Sequence, residues 1–445
     1  MWKERNLAFF ITDIISVIAG VYVGIFILSK LGYYISTYDK ISNIILLPLI
    51  TIIVFAYTDM YNFFSYIDRI NYIYRTSKSL LYTFIVYLVF NLIFRHSILT
   101  RRKFIFAIFV IVSIIIYIER LFIYSLILKI LPKKKIVIFV PKGETKGIDK
   151  FLKENKNIHV EIVKIVRREE EIDKFFGNNY TFFVVLHTKD YAEVLKTLKR
   201  FMNKEKVLLY SEINKKIKNV PYWCYFSGIP LIPFRWSGKG KFYLFLKRLT
   251  DIIGSVIGII IFSPFILLFS ILIKFTSKGG VYFKQKRLNL LNKEFTCIKF
   301  RTMYSNMDDT IHKEYVKNLI KGKKREGNVF KMVKDPRITP IGNVLRKTSL
   351  DEIPQFFNVL KGDLSLVGPR PPTKYEFEEY AEWHRERLNV KQGITGFWQV
   401  FGRSQLPFDE SVFLDIYYVY NRSFWMDLHL IFQTIPNVIF GQGAY

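Results

Sequence analysis

Residues 252–273 read IIGSVIGIIIFSPFILLFSILI, an apolar run interrupted at its middle by Ser263-Pro264. Its length matches the roughly 20 residues that a helix needs to cross a bilayer. Proline removes a backbone donor, clashes with the preceding turn and disfavours helical geometry at Ser263. Two readings follow. One is a kinked spanning helix, which membranes tolerate. The other is a re-entrant helix-break-helix that enters and leaves one leaflet. Lys239, Lys241, Lys247 and Arg248 precede the run, and Lys274, Lys278, Lys284, Lys286 and Arg287 follow it. Cations on both flanks suit two ends on the same face of the membrane. We therefore expect re-entry, with the chain beyond Ile273 on the cytoplasmic side.

The rest of the composition agrees with a membrane protein. The chain has 445 residues, a formal charge of +29, 51% hydrophobic residues and 17% aromatic residues. Such a basic balance implies anionic partners, namely lipid head groups, nucleotides or nucleic acid. The apolar segments favour lipid. Nucleic acid is not expected, because neither a helix-turn-helix pattern nor a spaced stacking platform is visible. The two cysteines, Cys224 and Cys297, form no CxxC or Cys/His cluster, which argues against zinc and against a disulfide framework. No small-residue cleavage site follows the first apolar segment, so that segment reads as an anchor.

Four apolar segments fill the first third, near Phe9–Leu31, Ile41–Tyr61, Leu80–Phe94 and Phe104–Ile118. The first two have membrane length, and the last two must borrow flanking residues. Arg120–Ile130 either extends the fourth helix or lies along the surface. Lys3 and Arg5 place the N-terminus in the cytoplasm, and an even number of crossings returns Lys133-Lys134-Lys135 to that side. The loop with Arg95, Arg101, Arg102 and Lys103 opposes this count. Residues 135–235 alternate strands (Lys135–Val140, Tyr180–Leu186, Lys206–Tyr210) with helical stretches (Lys146–Glu154, Tyr191–Phe201), which suggests a small parallel sheet. Gly143 and Gly147 follow the first strand, but the G-x-G-x-x-G fingerprint is absent. A structural or regulatory role is expected there. Arg235–Gly240 reads as a linker. The resulting division is a four-helix membrane region (1–132), a Rossmann-like α/β domain (133–236) and a mostly helical C-terminal domain (237–445).

That last domain carries the chemistry. Gly279–Arg287 and Glu294–Met303 pair as a hairpin, and alternation puts Lys299 and Arg301 on one face. Asp335-Pro336-Arg337-Ile338-Thr339-Pro340 is a rigid turn. Arg346-Lys347-Thr348-Ser349-Leu350-Asp351-Glu352 leads to a short helix, Pro354–Leu360, which Lys361-Gly362-Asp363 terminates. The acidic pair can act on phosphate, with Asp351 as nucleophile or Mg²⁺ holder at a helix N-terminus. Equally, Ser349-x-x-Glu352 can be a capping box. Prolines 369 and 371 fix the backbone around Arg370, as suits a pre-oriented phosphate clamp, or else form a proline-rich connector with an incidental arginine. The aromatic tail, Leu414–Tyr420 and Phe424–Phe440, reads as interfacial helices or as ordinary packing.

Taken in order, these motifs resemble the bacterial sugar transferase family. They are Ser263-Pro264 in an apolar helix, Phe283-x-Gln285-x-Arg287, Lys299-Phe300-Arg301-Thr302-Met303, Asp335-Pro336-Arg337, Asp351-Glu352-Ile353-Pro354-Gln355, Asn358–Asp363, Gly368-Pro369-Arg370-Pro371 and Gly393-Ile394-Thr395-Gly396-Phe397-Trp398-Gln399-Val400. The layout is similar to the long form of the monotopic phosphoglycosyl transferases. The resemblance implies a catalytic domain with a re-entrant helix bent at Ser263 and Pro264. It also implies transfer of a hexose-1-phosphate from a UDP-sugar to undecaprenyl phosphate, with release of UMP. Asp351 would attack phosphorus, and Glu352 would serve as metal ligand or base. Asp351 and Glu352 would hold Mg²⁺, and Lys299, Arg301, Arg337, Arg346 and Arg370 would contact phosphate or substrate. A bacterial inner-membrane location, a cytoplasmic catalytic face and a homodimer also accord with the resemblance. A non-enzymatic scaffold whose basic surface recruits anionic lipid is the rival reading, and it predicts that charge matters rather than the acidic pair.

Overall fold

The structure is a computed structural model, and it describes residues 2–33, 36–58, 60–61, 69–94, 98–130, 134–140, 160–177, 180–186, 190–202, 206–211, 213, 224–226, 229–234, 240–304, 310–320, 337–402 and 406–439. The expected helix at Lys146–Glu154, the linker at residues 235–239 and the turn at Asp335-Pro336 lie outside these residues. The chain divides into two compact units. The first comprises residues 1–187, 208–210 and 218–233, and the second comprises 188–207, 211–217 and 234–445.

Four helices open the first unit: α1 (Trp2–Lys30), α2 (Thr37–Tyr57), α3 (Arg69–Phe94) and α4 (Ile98–Ile130). By length and composition, Phe10–Lys30 and Phe106–Ile123 can cross a membrane, while the apolar part of α2, Asn43–Tyr57, is shorter. The second segment was expected to reach membrane length and the fourth to be marginal. The order changes because α4 continues helically through Arg120–Ile130. Arg120 is fully buried, and its guanidinium grips the Asp13 carboxylate of α1, with Nε 2.8 Å from Oδ1. A charge satisfied inside the bundle need not leave the helix for the surface. Two glycines bring the same helices close. A Cβ on Gly20 would lie 3.0 Å from the Val112 Cα, and one on Gly24 would lie 3.3 Å from Ile108. Small residues four apart allow such contact between apolar helices.

Most of a six-stranded sheet belongs to the same unit; its order is β2-β1-β3-β4-β6-β5, built from β1 (Lys134–Phe139), β2 (Val160–Val166), β3 (Thr181–Leu186), β4 (Lys206–Ser211), β5 (Cys224–Phe226) and β6 (Ile229–Phe234). β1 pairs in parallel with both β2 and β3, whereas β5 and β6 are antiparallel. The sheet is therefore mixed, where a parallel one was expected. β3 is buried along its whole length, which explains its unbroken apolar run.

In the second unit, α5 (Tyr191–Met202) precedes the long helix α6 (Lys241–Thr276). α6 is continuous through Ser263-Pro264, where a helix-break-helix was expected. Pro264 has no N–H to offer the Ile260 carbonyl, and the Ser263 hydroxyl donates to that oxygen instead at 2.8 Å. One face of α6 seats on the globular part. A Cβ on Gly254 would meet Leu366 Cδ1 at 2.5 Å, and one on Gly258 would meet Phe356 Cε1 at 2.8 Å. Phe262 stacks on Phe356, with ring centroids 6.1 Å apart. The buried Asp251 accepts from Ser365 Oγ and Leu366 N, both at 2.9 Å. Lys247 donates to Val367 O at 2.9 Å and to Asp427 Oδ2 at 3.1 Å. The opposite face of α6 leaves Ile253, Ile257, Ile260, Ile261, Leu267 and Leu268 exposed. That unpartnered apolar surface associates with membrane.

Beyond α6, β7 (Tyr282–Leu288) and β8 (Glu294–Phe300) form the expected antiparallel hairpin. Then come α7 (Thr310–Ile320), α8 (Pro340–Thr348), α9 (Gln355–Lys361), β9 (Ser365–Val367), α10 (Lys374–Glu378), β10 (Gly393–Thr395), α11 (Phe397–Phe401), α12 (Phe408–Asn421) and α13 (Phe424–Ile439). Ile273, Phe300, Leu345 and Ile353 form a core with Phe262, Ile266, Phe269 and Phe356 packed against it. α12 is buried on nearly every side. The segment Leu414–Tyr420 is thus a core helix, and of the tail only α13 leaves large apolar residues, Phe432 and Ile435, exposed.

Candidate active site

Four local structures converge on one pocket. In the hairpin, Gln285 pairs with Cys297, Arg287 with Phe295, and Phe283 with Lys299. Cross-strand partners share a face, so Gln285, Arg287, Cys297 and Lys299 point the same way. The second structure is the acidic turn. Thr339 caps α8 by accepting from Gly342 N at 2.9 Å, and Ser349, at φ 58°, stops that helix in the left-handed region. A short 3₁₀ turn, Leu350–Glu352, follows directly. The third is the Pro369-Arg370-Pro371 loop, and the fourth is β10 with α11. A Cβ on Gly393 would lie 2.1 Å from Gly368 N, and one on Gly396 would lie 2.4 Å from Gly368 O. Only glycine permits this approach, and it sets Arg370 and Pro371 beside Gly393 and Ile394.

The resulting pocket is small and open to solvent, and it is lined by cations, Glu352, two glutamines and the hairpin thiol. Of the residues expected to bind phosphate, it gathers Lys299 and Arg370. Lys299 Nζ lies 2.5 Å from Glu352 Oε1. This ion pair resolves the capping-box alternative, because Ser349 makes no side-chain cap and the Glu352 carboxylate reaches across to β8 instead. Asp351, the next residue back, is 6% exposed and is not among the pocket-lining residues.

The other expected contacts are placed elsewhere. Arg301 donates to Ser277 O at 2.8 Å, Lys278 O at 2.9 Å and Ser277 Oγ at 2.7 Å. It ties down the C-terminal end of α6, whose carbonyls attract cations. β8 ends at Phe300, so the alternation that would keep Arg301 beside Lys299 stops one residue short. Arg337 is buried in the turn before α8, where its carbonyl accepts from Tyr304 N at 3.0 Å. Arg346 is buried in the last turn of α8. Neither lines the pocket.

Three residues escaped the sequence reading. Glu376, almost fully buried, sits 3.4 Å from Arg370 Nη1 and accepts from Thr373 N at 2.8 Å. The Thr373-x-x-Glu376 capping box is its signal in the sequence. Burial alone would weaken the Arg370 cation, but Glu376 and Tyr380 outweigh it and hold the group above its usual range. Burial would likewise raise the Glu376 carboxyl, yet Arg370, Arg287 and the Thr373 amide hold it below its ordinary value. Arg287 and Gln399 are the other two. They belong to the quoted motifs Phe283-x-Gln285-x-Arg287 and Gly393–Val400, and only the fold shows that they line the pocket. Burial pushes the Cys297 thiol up, so it stays protonated at neutral pH.

Because the folded Glu376 carboxyl titrates below its unfolded value, its stabilising contribution is full above about pH 4.5 and fades as pH falls through the folded value. The wild type is therefore expected to exceed Glu376→Gln in melting temperature at pH 7. The gap should shrink steadily below pH 4.5. Melting curves from pH 3 to 7 in detergent test this, and a gap independent of pH would contradict it.

Among the described residues no group of three or more His, Cys, Asp or Glu side chains could enclose a metal. Mg²⁺ does not need a group of that size. That ion commonly uses one or two carboxylates, keeps several waters and takes its remaining ligands from phosphate.

This is a cation-lined site on a membrane-associated helical domain. Residues 242–441 match the family model described as "Bacterial sugar transferase". The chain is 40% identical over 221 residues to "Galactosyl transferase CpsE" of Streptococcus agalactiae serotype III (strain NEM316), covering 49% of this chain and 48% of that one. It is 43% identical over 202 residues to "Undecaprenyl-phosphate galactose phosphotransferase" of Salmonella typhimurium, covering 45% and 42% respectively. It is 37% identical over 199 residues to "Exopolysaccharide production protein ExoY" of Sinorhizobium fredii, and there the match covers 88% of the relative. The chain thus spans about half the length of the first two relatives and most of the third. It belongs to the bacterial sugar transferase family, in its long form.

Proposed function

We propose that this protein transfers a hexose-1-phosphate from a UDP-sugar to undecaprenyl phosphate, as the first step of exopolysaccharide, capsule or O-antigen assembly. The observation that carries this reading is the meeting of Arg287, Lys299 and Arg370 with Glu352 in one pocket of the family-matched region. A diphosphate brings negative charge that such a site accommodates. In the first half-reaction an Asp351 oxygen attacks the β-phosphorus. The bond from that phosphorus to the bridging oxygen breaks, and UMP leaves with the electron pair. In the second, an oxygen of undecaprenyl phosphate attacks the same phosphorus and Asp351 leaves as a free carboxylate. Asp351 and Glu352 would hold Mg²⁺, which screens the negative charge of the assembled phosphates. Arg370, fixed between two prolines, orients a phosphate oxygen. Purified protein given a panel of UDP-sugars and undecaprenyl phosphate should release UMP with one or a few of them, and EDTA should stop it. No release with any UDP-sugar would refute the reading.

We further propose that α6 re-enters the leaflet and keeps this site at the cytoplasmic face of the inner membrane. The helix touches the globular part from Asp251 to Ile273, about 33 Å at 1.5 Å per residue. A spanning helix would carry those contacts across the whole hydrocarbon core, roughly 30 Å thick. Contacts along that full length, and cationic flanks at both ends, favour a helix lying in one leaflet. Cysteines introduced at Lys278 or Lys286 should resist impermeant maleimide from outside intact cells. Efficient labelling would mean a crossing helix. A homodimer is also in keeping with the long form, and light scattering in detergent measures it.

A further inference from the structure

The three pocket cations are not equivalent. Lys299 is paired with Glu352 at 2.5 Å, and Arg370 with Glu376 at 3.4 Å. Arg287 makes no direct ion pair among the described residues, although its charge is felt by Glu376, the partner of Arg370. It is nonetheless held on every side of its guanidinium. Nε and Nη2 donate to Gln285 Oε1 at 3.0 and 2.7 Å, and Nη1 donates to the Pro371 carbonyl. It is 6% exposed and lines the pocket. A buried guanidinium bound only to neutral acceptors keeps its full charge, and holding such a charge away from water is costly unless an anion comes to meet it. The partner is a glutamine at a position where glutamate would fit sterically and would bind arginine more strongly. A glutamate there would also neutralise it.

Resting on the functional reading above, we propose that Arg287 is the anchor for a substrate phosphate, and that Gln285 is a positioning residue that orients it while leaving its charge available. The phosphate belongs either to the nucleotide sugar or to the polyprenyl acceptor, and both present the same chemistry to a guanidinium. The fixed guanidinium still has one N–H free on each terminal nitrogen to offer a phosphate oxygen, with little orientational entropy left to lose.

The discriminating variant is Gln285→Glu in the full-length protein in detergent. It retains the hydrogen bonds to Nε and Nη2, so a purely structural role for Gln285 predicts an unchanged or higher melting temperature and undiminished binding. Electrostatic anchoring predicts an unchanged or higher melting temperature with affinity reduced tenfold or more, for UDP, which carries both phosphates, if the anchor serves the nucleotide sugar and for undecaprenyl phosphate if it serves the acceptor. Gln285→Met, which removes the orientation and leaves the charge, should weaken the same ligand less. Calorimetric titration with each ligand reads these arms. Wild-type affinity of Gln285→Glu for both ligands overturns the proposal, and so does a lowered melting temperature that accounts for the loss. Failure of the wild type itself to bind UDP or release UMP from any UDP-sugar would instead defeat the functional reading.

Discussion

Asp351→Asn is expected to reduce UMP release by about three orders of magnitude or more, the scale seen when a catalytic nucleophile is removed. An amide of the same shape cannot form the acyl phosphate, because it lacks the anionic oxygen that attacks phosphorus. The substitution should leave the fold alone. The turn that carries residue 351 is set by its neighbours: Ser349 at φ 58°, Ile353 N donating to Leu350 O at 3.2 Å, and the Ile353 side chain in the core. The check is UMP release by purified wild type and variant at matched concentration, with melting curves alongside. Mass spectrometry of wild type incubated with the donor alone should find a hexose phosphate on the peptide containing Asp351. Activity of the variant within tenfold of wild type would remove Asp351 from the role of nucleophile, and the scaffold reading would gain.

The largest expected loss of stability is at Arg387. This guanidinium lies in the 3₁₀ segment Glu382–Leu388 and is nearly fully buried, as is Asp415 on α12, whose carboxylate it contacts. Its other nitrogen donates to Tyr380 OH at 3.1 Å. Burial pushes the Asp415 carboxyl up to about 7, despite the neighbouring Arg387. Removing the arginine leaves that carboxyl with no paired cation, only the farther charge of Arg370, so it must bury an unpaired charge or bind a proton. Breaking such a pair from one side costs about 3–5 kcal/mol. Arg387→Leu should therefore lower the melting temperature strongly, and the effect should be worse at pH 8 than at pH 5, where the lone Asp415 is protonated. The double variant Arg387→Leu/Asp415→Leu should recover most of the loss, since an apolar pair of similar volume often replaces a buried ion pair without penalty. A double variant no better than the single one would show that packing, not charge, dominates there.

Much of the fold was legible because the signals are local. The four apolar segments became helices, the β7–β8 hairpin followed from its turn and alternation, and Gly362, at φ 100°, ends α9 as its sequence suggests. The proline-fenced Arg370 and the acidic turn were also readable, since a few adjacent residues determine each backbone. Legibility failed where a side chain had to choose among distant partners. Alternation placed Arg301 with Lys299, yet the end of β8 and the carbonyls at Ser277 and Lys278 drew it away. Ser349-x-x-Glu352 has the form of a capping box, yet Lys299 took the glutamate.

The sequence by itself determined that this chain meets a membrane, that its C-terminal half carries an acidic pair among cations, and which family that half resembles. Those properties depend on composition and on spacing over a few residues. Only the tertiary structure decided which cations share the pocket, that two of them are neutralised by Glu352 and Glu376, and that Arg287 is held by the neutral pair of Gln285 and Pro371. Arg287 and Pro371 stand 84 residues apart, and their contact exists because glycines at 368, 393 and 396 let two backbones cross. Chain neighbours dictate backbone shape, but the charge state of a site is settled by whichever groups the packed core carries into reach.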